Sequence, residues 1–444
     1  MRVAIVGGGI SGLTAAHVLH GAGHDVVCVD PGPHPGGVMQ SERQQGFLCE
    51  TGPQALLGGA PATRRLIDEL GLAERVLPAL PTAKRRFLYS NGRLRPLPTS
   101  PPALLGSRLL SFRAKLRLLR EPFIRRPATV DPDETVLAFG TRRFGAEAAR
   151  KLLAPAVIGI YAADADTLAV QSALPRIAAF ERDHGSVVRG AIASRRAGGG
   201  AGKPVSFPDG LQELARAIAA RLGARYVIGA ATALERQANR WVVSIDGQRP
   251  IEAEAVVVAA SAGTAARLLD PLAPRAAAAL RAVPYAPAAV VSLGFSGSTP
   301  ALQMDLAAYG FIVPRGEGVD LLGCQYESSI FANRAPEGGV LLRAIMGGTF
   351  HPEVLEKTDG VIATLAVGDI QRVAGLRRDP DFTRVWRHPA GLPQYRPGHA
   401  RLAADAAADV ARHPHLHLLG QALFGVGVND CIAAATELAA AIPA

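Results

Sequence analysis

The sequence predicts an α/β protein: a Rossmann-type nucleotide-binding domain interrupted by an α+β domain and by a helical, basic domain. Three observations predict it. Residues 2–6, RVAIV, read as a buried parallel strand running straight into a glycine-rich turn and a helical pattern. Residues 253–260, AEAVVVAA, are nearly all apolar, as a central strand covered on both faces must be. Between them, residues 101–127 interleave leucines with arginines in the manner of basic amphipathic helices.

The chain has 444 residues, too many for one ordinary domain and enough for two or three. The expected division gives residues 1–76, 206–282 and 396–444 to the nucleotide-binding domain. Residues 77–100 and 283–395 form a substrate-binding domain, and 101–205 a helical, membrane-docking domain. Apolar residues make up 48% and charged ones 19%, which excludes a disordered chain. The net charge of +10 favours anionic partners. Aromatic residues are sparse and no nucleic-acid motif occurs. That excludes nucleic acid and leaves an anionic membrane surface or a carboxylate-bearing ligand. Cys28, Cys49, Cys324 and Cys431 form no C-x-x-C pair, so no metal site is expected. Free thiols suit a reducing, cytoplasmic setting. Met1 leads at once into a strand, so no signal peptide is expected. The uncharged run 282–304 is long enough to span a bilayer, but Pro284, Pro287 and Pro300 make it strands and turns.

The N-terminal unit is taken element by element. After the first strand, Gly7, Gly9 and Gly12 fit G-x-G-x-x-G, with Ser11 in the same turn. Leu13, Ala16 and Leu19 then repeat at helical spacing, and VVCV forms a second strand ending at Asp30. In a βαβ unit Gly7 allows the tight turn, Gly9 lets backbone approach a pyrophosphate, and Gly12 lets helix and strand pack. The helix N-terminus supplies N–H groups for phosphate, and Asp30 accepts from a ribose hydroxyl. A second glycine pair, Gly36 and Gly37, follows, and then GFLCETGP with Gly52. Residues 197–204, AGGGAGKP, imitate a phosphate loop but have Pro204 where Ser or Thr is needed, so a flexible linker is expected.

Further along, residues 61–76 read as an amphipathic helix with a turn at Gly71. Residues 86–98 read as a hairpin turning at Asn91-Gly92. PDET at 132–135 is a helix start, and Pro208-Asp209-Gly210 is a turn into the helix LQELARAIAARLG. Near the C-terminus, GVGVNDCI (425–432) places flexible backbone and capping residues ahead of an Ala-rich helix.

VAIVGGGISGL, RFLY with NG, PDET, SFPDGLQEL, YGFIVP, LPQY with GH, and GVGVNDCI together resemble signatures of one family, in that family's order. The family is the FAD-dependent, oxygen-using protoporphyrinogen oxidases of the amine-oxidase superfamily. The resemblance implies non-covalent FAD, a porphyrinogen substrate and oxygen as acceptor. It implies a Rossmann-type FAD-binding domain with an inserted α+β substrate domain and a membrane-associated helical domain. Removing six electrons in two-electron flavin cycles implies three turnovers, each releasing hydrogen peroxide. Arg86 would bind a propionate. Tyr309, Gly310 and Ile312 would form one wall of the tetrapyrrole slot, with Leu392 and Met346 near it. Gly427 and Val428 would meet the flavin edge, with Gly420 nearby, while Asn429 and Asp430 cap the last helix. The backbone at Ala231 would meet the adenine. No catalytic side chain is expected, since the chain shows no triad or carboxylate pair and the cofactor carries the chemistry. Four departures stand out: His34 for the family's arginine beside the phosphates, Gln54 and Gln421 for asparagine, and Asp30 for glutamate. Three other readings stay open: oxidation of coproporphyrinogen III, another amine-oxidase-type reaction, and a porphyrin carrier without catalysis. Monomer and homodimer stay open as well.

Overall fold

The computed structural model describes residues 1–98, 100–197, 202–297 and 304–443. Parts of two sequence readings, the linker at 198–201 and the run at 298–303, lie outside the described residues. A five-stranded parallel sheet forms the base. Its order is Tyr226–Ile228, Asp25–Asp30, Arg2–Val6, Ala255–Val258 and Leu416–Leu418. Ile5 lies between Cys28 and Val257, so the first strand is central. Both faces are covered. Helices Ile10–Gly21, Gln212–Leu222 and Val428–Ala441 bury Leu13, Ile218 and Ile432 on one side. On the other, helices Ala262–Leu269, Pro274–Ala282 and His399–Val410 join a three-stranded antiparallel meander around the fully buried Trp241. The near-continuous apolar runs of these strands follow from that double coverage.

A seven-stranded mixed sheet stands over the base. Its order is Phe382–Pro393, Tyr285–Phe295, Val340–Gly347, Leu321–Gln325, Gly310–Ile312, Arg86–Ser90 and Arg93–Pro96. The last two strands form the hairpin, and Asn91 (φ 52°) with Gly92 (φ 72°) supply the left-handed pair its turn requires. Helix Asp359–Ala374 covers one face through Ile362, Ala366 and Ile370. Short strands Leu56–Leu57, Leu77–Pro78 and Pro204–Ser206 form a separate small sheet.

Residues 101–196 carry helices joined by turns and irregular segments. Thr135 caps helix Val136–Phe144 by accepting from the Ala138 N–H at 3.2 Å. Arg143 and Glu121, both fully buried, pair beneath this helix, and Glu121 also accepts from Ser186 and from the Val187 N–H. Among the described residues no helix is long and apolar enough to cross a membrane.

Candidate active site

The glycine-rich turn sorts its glycines by what a side chain would meet. At Gly7 (φ +117°) a Cβ would lie 2.5 Å from the Ala259 carbonyl oxygen, and at Gly12 it would lie 1.9 Å from that of Gly7. These two serve the contact between strand and helix. Gly9 differs, because a Cβ there meets nothing of the described residues within 4 Å. It faces open room at the N-terminus of helix Ile10–Gly21, where a phosphate needs bare N–H groups. Gly36 donates to the Gly8 carbonyl at 2.8 Å, and a Cβ on Gly37 would lie 3.3 Å from the Gly9 Cα. The second glycine pair is therefore packed onto the first. The exposed His34 rides on the same loop.

Asp30 ends the second strand, and its carboxylate accepts from the N–H of Gly8 (2.7 Å) and of Gly32 (2.8 Å). The Tyr226 hydroxyl lies buried beside it without a hydrogen-bond partner among the described residues. Gly229 donates to the Asp30 carbonyl at 2.8 Å, which brings the chain past this edge on its way to the buried Ala231.

The C-terminal segment returns to the same edge. Gly420 (φ 130°) follows strand Leu416–Leu418, and residues 424–429 are all half-buried. The Tyr395 hydroxyl pins this loop by donating to the Gln421 carbonyl and accepting from the Gly425 N–H at 2.9 Å. The last helix starts at Val428 against the first. Cys431 reaches Ser11, so two helix N-termini converge on one place. Asp430 caps that helix through the Gly427 N–H (3.1 Å). Asn429 does not cap it, contrary to the sequence expectation. Its amide accepts from the Leu57 N–H (2.9 Å) and donates to Thr63 (2.7 Å), because the strand at 56–57 offers unpaired backbone there.

Across the cleft, Tyr309, half-buried, precedes strand Gly310–Ile312, and the Arg86 guanidinium lies 4.7 Å over its ring. Gly310 (φ +138°) has no room for a side chain, since a Cβ would lie 2.0 Å from the Cys324 carbonyl oxygen. Ile312 and Leu392 share one apolar cluster with Ile158, Leu322 and Ile345. Met346 does not join them. It is fully buried under helix Asp359–Ala374, because successive strand residues point to opposite faces and Ile345 takes the cleft side.

Beneath Tyr309 lies a polar network that the sequence did not announce. Its hydroxyl meets the Gln54 amide at 2.5 Å. Gln54 sits beside Glu327 and Gln325. Arg343 donates to Gln325 (2.6 Å), to the Gly52 carbonyl and to the Glu50 carbonyl (3.3 Å), and lies 3.9 Å from Glu327. Gly52 is pressed against the Val38 carbonyl, where a Cβ would lie at 2.1 Å. Burial pushes the Glu327 carboxyl up to about 7, against the opposing pull of Arg343 and Arg334. No spacing rule links residues so far apart in the chain, and only the fold assembles them.

Residues 10–443 match the model of the family "Flavin containing amine oxidoreductase". The chain belongs to that family. This flavoenzyme is 31% identical over 468 residues to protoporphyrinogen oxidase 1, chloroplastic, of Arabidopsis thaliana, covering 98% of this chain and 86% of that one. It is also 31% identical over 482 residues to coproporphyrinogen III oxidase of Propionibacterium freudenreichii subsp. freudenreichii, covering 99% and 90%. A solved structure from Exiguobacterium sp. 255-15, assigned as a protoporphyrinogen oxidase, superposes with a TM-score of 0.83 at 24% identity, over 99% of this chain and 98% of that one. The residues present fit FAD. Gly9 leaves open room before a helix N-terminus, Asp30 ends the second strand with the carboxylate a ribose hydroxyl would need, and the Tyr226 hydroxyl, without a partner among the described residues, lies beside it.

Proposed function

We propose that this flavoenzyme oxidises protoporphyrinogen IX to protoporphyrin IX in heme biosynthesis, with molecular oxygen as acceptor and hydrogen peroxide as product. The observation that carries the reading is Arg86. Its guanidinium has no carboxylate partner among the described residues and lies over Tyr309, which precedes the strand whose Ile312 joins an apolar wall with Leu392. A free cation beside an apolar wall suits a flat hydrophobic macrocycle bearing propionates. FAD, held without a covalent bond, supplies two-electron oxidation when bound. The chain's residues bind and orient. Arg86 anchors a carboxylate, Ile312 and Leu392 face the ring, Gly9 with the N-terminus of the first helix holds the cofactor's phosphates, and the N-terminus of the last helix faces the flavin edge.

A second reading, oxidation of coproporphyrinogen III, is supported by the relative of that name, which matches at the same identity. Anaerobically prepared samples of both porphyrinogens, assayed for porphyrin fluorescence and peroxide with autoxidation subtracted, separate the two. The expected result is faster turnover of protoporphyrinogen, with three peroxides per porphyrin because six electrons leave in pairs. A higher kcat/KM for coproporphyrinogen assigns the second reading. Turnover of neither overturns both.

A further inference from the structure

Tyr309, Gln54, Gln325, Glu327 and Arg343 form a chain of hydrogen-bonding groups whose direction is set by its far end. An arginine only donates. Arg343 donates to the Gln325 carbonyl at 2.6 Å, which leaves the Gln325 N–H₂ to donate to the Gln54 carbonyl at 3.0 Å. The Gln54 N–H₂ then faces the Glu327 carboxylate, whose Oε2 lies 3.1 Å away. With that amide so held, the Tyr309 hydroxyl, 2.5 Å from the same carbonyl, can only donate to it. In that arrangement no group among the described residues donates to the hydroxyl oxygen, which leaves its lone pairs for a ligand, and the Arg86 guanidinium lies over the same ring.

We propose that Glu327 is a positioning residue. Acting through the Gln54 amide, it holds the Tyr309 hydroxyl as a donor into the protein and so presents that oxygen as an acceptor to a pyrrole N–H of the substrate. The inference rests on the porphyrinogen reading for its ligand, and on this chain alone for its mechanism. The pyrrole N–H groups of a porphyrinogen point into the macrocycle, and its sp³ meso carbons let them tilt toward one face, so an acceptor over that face beside a propionate anchor recognises the macrocycle itself. Amine and carotenoid substrates of related folds offer no such array.

The arrangement is sensitive to the charge of Glu327, which is 1% exposed. The titratable and charged groups facing it are Arg343 at 3.9 Å, Arg334, Glu50, Tyr309, Cys49 and Cys324. Burial and the Glu50 charge raise its carboxyl, to about 7, while both arginines oppose the rise. Once protonated, Glu327 attracts the amide N–H₂ less, and its O–H meets the Gln54 carbonyl only when that amide turns over, which sets N–H₂ against Tyr309. The hold on Tyr309 weakens, and its O–H becomes free to point outward, where it opposes a substrate N–H. KM therefore rises as pH falls through neutrality.

The test uses the FAD-saturated enzyme with ¹⁵N-labelled glutamine, the Gln54 side-chain signal being identified by its loss in Gln54→Leu. In the wild-type enzyme that signal should move with a midpoint near pH 7, and in Glu327→Gln it should stay still from about pH 6 to about pH 8. In parallel, the wild-type KM for porphyrinogen should rise about three- to tenfold from about pH 8 to about pH 6, the size of one lost hydrogen bond. Tyr309→Phe keeps the ring and removes the acceptor, so its KM should be pH-independent while its Gln54 signal still titrates. A Gln54 signal that ignores pH in the wild type, or that still titrates in Glu327→Gln, overturns the coupling whatever the substrate. A titrating signal with a Tyr309→Phe KM that keeps the wild-type pH dependence overturns the acceptor role. Absence of turnover on any porphyrinogen speaks against the function and leaves the NMR result standing by itself.

Discussion

At the scale of single residues, the clearest contrast lies between glycines that protein packing requires and the glycine that a ligand requires. Gly9→Ala puts a methyl group into open room, on a backbone with φ −69° that any residue adopts. Apo-protein stability should hold, while FAD affinity falls about ten- to a hundredfold, the effect of overfilling a tight contact. Thermal unfolding without FAD and a flavin titration check both halves. An unchanged flavin affinity means that the phosphates lie elsewhere. Arg86→Ala should raise KM about ten- to a hundredfold with kcat and FAD content little changed, because a charge-assisted bond contributes about 1.5–3 kcal/mol. Arg86→Lys should recover only part of that, since an ammonium lacks the planar fork. Steady-state kinetics with flavin occupancy measured alongside decides it, and a wild-type KM in Arg86→Ala removes the anchor. The βαβ unit that carries Gly7, Gly9, Gly12 and Asp30 was legible from the sequence because its spacing is fixed locally. Met346 was misjudged by one step of the pleat, which transfers a side chain to the opposite face of the sheet. The Asn429 cap was misjudged because a neighbouring strand offered its amide better partners than the helix did.

At the scale of elements, strong local signals survived folding unchanged. The Asn91-Gly92 hairpin, the Thr135 cap and the apolar central strand each carry their own physical cause in a few residues. Residues 101–127 are different, because their outer surface has no visible cover. They fold as short helices, Pro101–Gly106 and Phe112–Leu119, with Ala114 of the second and Leu109 and Leu110 of the link between them buried. Phe112 and Phe123 are each 80% exposed and Leu119 is 58% exposed, with Arg108, Arg113, Arg120 and Arg125 exposed around them. Not all of the basic residues serve the surface, since Lys115, Arg117 and Arg126 donate to backbone carbonyls. We propose that this face docks peripherally on an anionic membrane. Sedimentation with anionic liposomes should capture the protein at low salt and release it as salt rises, because exposed charges are screened within about 10 Å at 0.1 M. Phe112→Ser with Phe123→Ser should weaken capture at every salt concentration. Equal binding to neutral and anionic vesicles contradicts the role of the arginines.

At the scale of the whole molecule, buried charge joins regions that the sequence presents as separate. Arg343, on the seven-stranded sheet, donates to the carbonyls of Glu50, at the end of strand Phe47–Glu50, and of Gly52 just beyond it. Arg334 pairs with Glu50 at 3.2 Å and donates to Ser206. Glu327 lies among them with its carboxyl raised from 4.5 to about 7. An acid raised in this way keeps its proton in the folded state at pH values where the unfolded chain has lost it. The folded state then binds more protons across that window, so stability falls as pH rises from about 4.5 to about 7 and stays lowered above. The opposing trend of ordinary paired carboxylates, such as Glu147, held near 2 by Ser111 and Lys151, acts below about pH 4.5 and does not overlap. Urea unfolding of the wild type and of Glu327→Gln, both saturated with FAD, isolates the effect of one residue. The wild type should lose stability on the order of 3 kcal/mol relative to the variant between about pH 5 and about pH 8. The loss should appear as a lower midpoint at unchanged slope, because the surface exposed on unfolding is the same. Parallel pH curves for the two proteins would mean that Glu327 is ionised throughout, with Arg343 and Arg334 outweighing its burial.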